Sequence, residues 1–140
     1  MKVRELMSTP VLSVGAGEPV EVAARTMTQY NIGALPVQTS GGRLCGMITD
    51  RDLVTRCLAA RRPTTTTRVE QVMSTEVAWV TPETDASVAA HLMGRKQIRR
   101  LPVVENGRLM GMLTLADLAR REESAQDAAD ALGDISENMR

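Results

Sequence analysis

The sequence predicts an α+β fold built from two β-α-β-β-α units. Three observations carry that prediction: an internal repeat, an alternation of strand and helix periodicity inside it, and a strand-to-helix turn present in each copy. Shifted by 66 places, Val3–Val37 aligns with Val69–Val103 and 14 of 35 positions are identical. Met7-Ser8-Thr9 meets Met73-Ser74-Thr75, and Leu35-Pro36-Val37 meets Leu101-Pro102-Val103. One residue is then lost where Ser40-Gly41-Gly42 shortens to Asn106-Gly107, and Gly42–Leu53 matches Gly107–Leu118 at 8 of 12 positions. Self-similarity at a fixed spacing is the mark of a repeated structural unit.

The elements follow in order. Val11–Val14 is a short strand candidate, closed by Gly15-Ala16-Gly17. Pro19 suits the first turn of a helix, and Val20, Ala23, Ala24 and Met27 keep helical spacing as far as Asn31. Ala34–Gln38 and Arg43–Ile48 read as strands joined by a Gly-Gly hairpin turn, and a second helix runs from about Asp50 to Ala60. The second copy repeats the order: strand Val77–Val80, helix Asp85–Gln97, strands Leu101–Val104 and Arg108–Leu113, helix Leu115–Arg121. The domain plan is thus a first repeat (1–60), a linker (61–68) holding Pro63 and four threonines, a second repeat (69–121) and an acidic tail (122–140). The tail is either an amphipathic helix through Leu132 or frayed. Neither repeat can bury its apolar faces alone, so the two are expected to pack sheet against sheet about a pseudo-twofold axis.

Composition narrows the function. The formal net charge is zero, which speaks against a strongly basic nucleic-acid binder. Residues 121–140 carry six acids against Arg121 and Arg140, so the body 1–120 holds a surplus of four bases. That excess suits an anionic small molecule better than a polynucleotide. Trp79 and Tyr30 are the only aromatic residues, which leaves the core to aliphatic side chains and nine methionines. No apolar run reaches a membrane span and the start lacks a signal-peptide pattern. Cys45 and Cys57 lack CxxC spacing, so a reduced cytoplasmic protein is expected. One histidine, two separated cysteines and no carboxylate cluster give neither a metal site nor a nucleophile–base pair, so no catalytic residue and no enzyme activity is expected. His91 falls off the Val88-Ala89-Leu92-Met93 face and reads as a surface residue.

The most informative string is Gly46-Met47-Ile48-Thr49-Asp50-Arg51-Asp52-Leu53, with its counterpart Gly111-Met112-Leu113-Thr114-Leu115-Ala116-Asp117-Leu118. Each places Thr at a strand end and Asp three residues later at a helix start. That is a capping box, in which the hydroxyl accepts from a backbone N–H and the acid reaches back. The same geometry can serve a ligand, because a helix start favours phosphate and an adjacent acid accepts from ribose hydroxyls. The two readings are compatible.

Two β-α-β-β-α copies, each with a Leu-Pro-Val strand and a G-h-h-T-x-x-D-L turn, resemble a tandem CBS-domain pair, or Bateman module, over about residues 3–121. With no larger domain attached, the chain looks like the stand-alone bacterial CBS-pair proteins. The resemblance implies a non-catalytic regulatory module that binds an adenine nucleotide (AMP, ADP or ATP, S-adenosylmethionine less so) and acts on a regulated partner. It also implies a homodimer formed through helix faces. In such a module the T-x-x-D of one repeat joins the first strand, long-helix start and pre-Leu-Pro-Val residues of the other. Carried over, the main site takes Thr49, Arg51 and Asp52 with Trp79, Val80, Thr84, Ala89, Arg99 and Arg100. A second, weaker site takes Thr114 and Asp117 with Leu12, Val14, Glu18, Ala23 and Ala34. It lacks arginines, has Ala116 in place of Arg51 and Glu18 in place of Thr84. Arg99 and Arg100 either contact phosphate or are simply solvated, and Trp79 either stacks on adenine or covers a sheet edge. A structural adaptor with degenerate ligand sites, acting through protein contacts alone, is the alternative.

Overall fold

The computed structural model describes residues 1–137, so the last three tail residues lie outside the described part. In chain order the elements are β1 Val14–Gly15, α1 Val20–Tyr30, β2 Ala34–Gln38, β3 Leu44–Thr49 and α2 Asp50–Asp52. They continue with α3 Ala86–Lys96, β4 Arg100–Glu105, β5 Arg108–Thr114, α4 Leu115–Ala119 and α5 Glu122–Glu137. The fold is α+β, with the repeated unit read from the sequence.

Local chemistry explains why the elements stop where they do. Asn31 and Gln97 adopt left-handed backbone at φ 53° and 57° and end α1 and α3. Asp85 starts α3 by accepting from the Ser87 N–H. The hairpins turn at Gly42 and at Asn106-Gly107, where positive φ gives the twist that a tight antiparallel turn needs. β2 and β3 pair antiparallel, as do β4 and β5, with a register shift at Val37/Gln38 and again at Val103/Val104. β1 adds a parallel strand beside β2, whereas the expected strand Val77–Val80 contracts to one parallel bridge between Val80 and Val103. The second helix also differs from expectation. After Asp52 the chain continues through Leu53–Leu58 in wider π turns, as in the Ala59 N–H to Val54 C=O bond.

The chain divides into two compact units, Leu12–Val77 and Met1–Val11 with Ala78–Arg140. This division departs from the repeat boundaries 1–60 and 69–121, because the opening segments are exchanged. Val3 and Leu6 lie in the core with Val80, Met93 and Leu101, while the Val3 and Arg4 N–H groups donate to the Thr84 and Pro82 carbonyls at 2.9 Å. Val69 and Val72 lie in the other core with Val20, Leu35 and Ile48, and the Val69 and Glu70 N–H groups donate to Glu18 and Ala16. Ser8 bridges Met112 and Ser74 bridges Met47 in the same way. A Cβ on Gly111 would sit 2.9 Å from the Ser8 carbonyl, and one on Gly46 2.8 Å from that of Ser74. Only glycine lets each segment approach.

Two polar stretches are more ordered than their composition suggests. Thr67, in the expected linker, is buried, and its carbonyl accepts from the Val20 N–H at 2.8 Å. The acidic tail forms α5, five residues past Leu132, with Ser124, Ala128, Ala131 and Ile135 buried. Gly94 of α3 permits this docking: a Cβ there would lie 3.3 Å from the Ala131 Cα and 2.8 Å from an Asp134 oxygen.

Candidate functional site

Both T-x-x-D turns form the reciprocal cap. Thr49 Oγ1 accepts from the Asp52 N–H at 3.1 Å and Asp52 Oδ2 accepts from the Thr49 N–H at 2.9 Å. Thr114 and Asp117 repeat the pattern at 3.1 and 2.8 Å. Each aspartate is buried, and its second oxygen faces an arginine on its own helix. Asp52 Oδ1 lies 3.8 Å from Arg56 Nε, and Asp117 Oδ1 accepts from Arg120. A hydroxyl-bearing ligand would therefore meet a carboxylate already oriented and charge-balanced.

The turns differ in what the preceding strand puts beside them. In the 12–77 unit Ala34 pairs with Thr49, and the Asp50 N–H donates to the Gly33 carbonyl at 2.9 Å. Gly33 is crowded, since a Cβ would lie 3.0 Å from an Asp50 carboxylate oxygen. Arg51 is exposed on this turn. In the 78–140 unit Arg100 pairs with Thr114, and the Leu115 N–H donates to the Arg99 carbonyl at 2.9 Å. Within that unit the structure thus brings Arg99 and Arg100 to the Thr114–Asp117 turn. An open cavity of about 530 Å³ lies there, lined by both arginines, Thr114, Leu115, Ala116 and Ala119, and by Ala125, Ala128, Ala129 and Leu132 of α5. The α5 wall was absent from the expected site, although Ala125, Ala128, Ala129 and Leu132 follow a helical stripe legible in the sequence.

The other expected residues fall into two local groups. Trp79 is half-exposed beside buried Val80, and the Thr84 hydroxyl accepts from the Thr81 N–H at 3.0 Å. Glu18 folds back on its own turn, where Oε1 accepts from the Gly15 N–H at 3.2 Å, with buried Val14 and half-buried Leu12 in the same unit. Ala23 and Ala89 are fully buried in the two cores, so their side chains serve packing.

Among the described residues no group of three His, Cys, Asp or Glu is arranged to hold a metal ion. His91 is exposed. Burial first, and the Glu70 charge second, push the Cys45 thiol up, which keeps it protonated. No described helix is long and apolar enough to cross a membrane.

Comparison with known proteins agrees with this architecture. The chain is 41% identical over 134 residues to the CBS domain-containing protein YhcV of Bacillus subtilis (strain 168), covering 96% of this chain and 94% of that one. A crystal structure of Hypoxic Response Protein I with two coordinated zinc ions superposes at a TM-score of 0.80 and 35% identity, over 86% of this chain and 98% of that one. The CBS domain pair of protein MJ0100, solved in complex with 5'-methylthioadenosine and S-adenosyl-L-methionine, superposes at 0.73 and 26% identity, over 86% and 94%. The CBS domain model matches residues 3–59 and 69–132, reaching eleven residues beyond the end of the repeat read from the sequence. With two matched copies filling most of its length, the chain belongs to the CBS domain family.

Proposed function

We propose that this protein is a regulatory module that binds an adenosine-bearing ligand, with AMP, ADP or ATP preferred to S-adenosylmethionine. The observation that carries the reading is the fold it shares with a CBS pair solved with two adenosine derivatives. The two pre-oriented aspartates supply acceptors for ribose hydroxyls, and Arg51, Arg99 and Arg100 supply charge for phosphate. In this proposal Thr49, Arg51 and Asp52 act with Trp79, Val80, Thr84, Ala89, Arg99 and Arg100. Thr114 and Asp117 act with Leu12, Val14, Glu18, Ala23 and Ala34 at a weaker site. Ligand binding shifts a conformational population that a partner protein reads. Homodimerisation through helix faces and a cytoplasmic setting belong to the same proposal.

A second reading, a structural adaptor without ligand, is favoured by one feature: both aspartates already pair with Arg56 and Arg120. Calorimetric titration with AMP, ADP, ATP and S-adenosylmethionine separates the two. Saturable heat for at least one of the phosphorylated ligands, at lower concentration than for S-adenosylmethionine, is expected. No heat and no thermal shift at millimolar concentration would overturn the sensing role and leave the adaptor.

A further inference from the structure

The two capped aspartates are not equally free to accept a further hydrogen bond, and the difference lies in the arginine one turn later. In the 78–140 unit α4 ends at Arg120, three residues beyond Asp117, and the Arg120 guanidinium donates to Asp117 Oδ1. Asp117 Oδ2 already accepts from the Thr114 N–H at 2.8 Å, so both carboxylate oxygens are engaged. Among the described residues the Arg120 guanidinium has no other partner. In the 12–77 unit the matching position is Thr55, whose hydroxyl donates instead to the Arg51 carbonyl at 2.8 Å. The nearby cation there is Arg56, which the Val72 and Met73 carbonyls hold at 3.3 and 3.1 Å. Its Nε stops 3.8 Å from Asp52 Oδ1, too far for a hydrogen bond. Arg121, the match of Arg56, likewise reaches a backbone carbonyl, that of Glu5 at 3.3 Å. Arg120 is thus the added cation, with no counterpart in the other copy.

We propose that Arg120 is a built-in competitor for Asp117, the residue that sets this aspartate below Asp52 as an acceptor for ribose. This rests on the reading that the T-x-x-D turns take the ribose of an adenosine-bearing ligand. A hydroxyl arriving at Asp117 Oδ1 must displace or share a charge-assisted bond, roughly twice as strong as a neutral one. At Asp52 the second oxygen carries no such bond, and its side chain is 11% exposed against 5% for Asp117. The Arg120 side chain is itself 71% exposed, so it can swing into solvent when a ligand replaces it. Its pairing weakens the second site without closing it.

The test is calorimetric titration of the full chain with adenosine, which brings the ribose hydroxyls without a phosphate that the arginine itself would attract. In an Asp52→Ala protein the remaining heat belongs to the Asp117 turn. Adding Arg120→Thr, the residue of the other copy, should raise its adenosine affinity roughly tenfold, as one charged hydrogen bond leaves the competition. Adding Arg120→Lys, which keeps the cation, should leave most of the competition in place. In an Asp117→Ala protein Arg120→Thr should change nothing, a contrast that a merely structural role for Arg120 would not produce. Thermal transitions report the folding of each variant, and salt gives a route that leaves Arg120 intact. Between low and about 1 M salt the adenosine affinity of the Asp52→Ala protein should rise, because the exposed guanidinium is screened. An affinity that neither Arg120→Thr nor salt raises, or an equal gain in the Asp117→Ala protein, would overturn the role of Arg120 and leave the adenosine reading standing. No adenosine heat in any of these proteins would overturn it together with the ribose role of both aspartates.

Discussion

The two units share one plan and diverge in the charge beside the capped turn and in the helix that docks on it. Both start a helix with the same Thr–Asp cap and stop the long helix with a left-handed residue. Around these fixed points the surroundings part. Gly33 sits tightly over Asp50 in the 12–77 unit, whereas Arg99 and Arg100 flank the turn of the 78–140 unit. Gly94 lets α5 lie on α3, while its counterpart Thr28 on α1 donates to the Ala24 carbonyl and faces solvent. Backbone hydrogen bonding keeps the caps and turns alike in both copies, because each buried or strained group there must be satisfied. Nothing equivalent holds the outward positions, so they are where the two copies differ in structure.

Helix docking should break the symmetry most. Gly94→Leu forces a side chain against Ala131 and Asp134 and is expected to cost about 2 kcal/mol, the overpacking penalty of a tight contact. Amide exchange should show α5 released with the 12–77 unit unchanged. The equivalent Thr28→Leu, on an exposed face, should change stability by less than about 0.5 kcal/mol. Equal losses from the two would remove the asymmetry.

The caps should restore it. Thr49→Ala and Thr114→Ala each delete an acceptor for a helix-start N–H, at about 1 kcal/mol apiece. Chemical denaturation of each variant checks this, and a markedly larger loss at one turn would show that the caps are not equivalent.

The smallest difference is electrostatic. Glu83 accepts from Lys2 at 2.5 Å and from Arg4 at 2.6 Å, tying the opening segment to its unit. The Lys2 hydrogen bond first, then the Arg4 and Lys2 charges, hold its carboxyl below the usual carboxylate range. A lowered folded-state value means that the contribution is present above the unfolded value and fades as pH falls through the folded one. The matching position in the other unit is Gly17, so acid should loosen residues 1–11 by this route and not 69–77. Protection of the Val3 and Arg4 amides against that of Val69 and Glu70, corrected for intrinsic rates, reads the difference. Glu83→Gln should abolish its pH dependence.

Legibility in the sequence follows the same division. Both T-x-x-D turns could be read because capping chemistry acts within a few residues, and the helix ends at Asn31 and Gln97 because apolar spacing runs out there in both copies. The exchange of the opening segments could not, since Val3, Leu6, Val69 and Val72 offer the same apolar spacing to either copy. The π turns of Leu53–Leu58 could not be read, because six residues are too few to set a wider period apart from an α-helix's. The docking of α5 depends on Gly94, whose meaning emerges only when Ala131 lies across it. Of the candidate site, the T-x-x-D turns and the arginines were legible, whereas the α5 wall had an alanine–leucine stripe but no visible destination.

Whether the two turns contribute unequally to nucleotide binding is read by a titration with ATP of the wild type beside Asp52→Ala and Asp117→Ala. Asp52→Ala should remove most binding at micromolar ligand, and Asp117→Ala should leave much of it. Arg51 sits on the Asp52 turn where Ala116 sits on the other, and one charged contact contributes roughly 1.5–3 kcal/mol, so the separation should reach tenfold or more. Equal losses from the two substitutions, or an ATP affinity that neither changes, would contradict it.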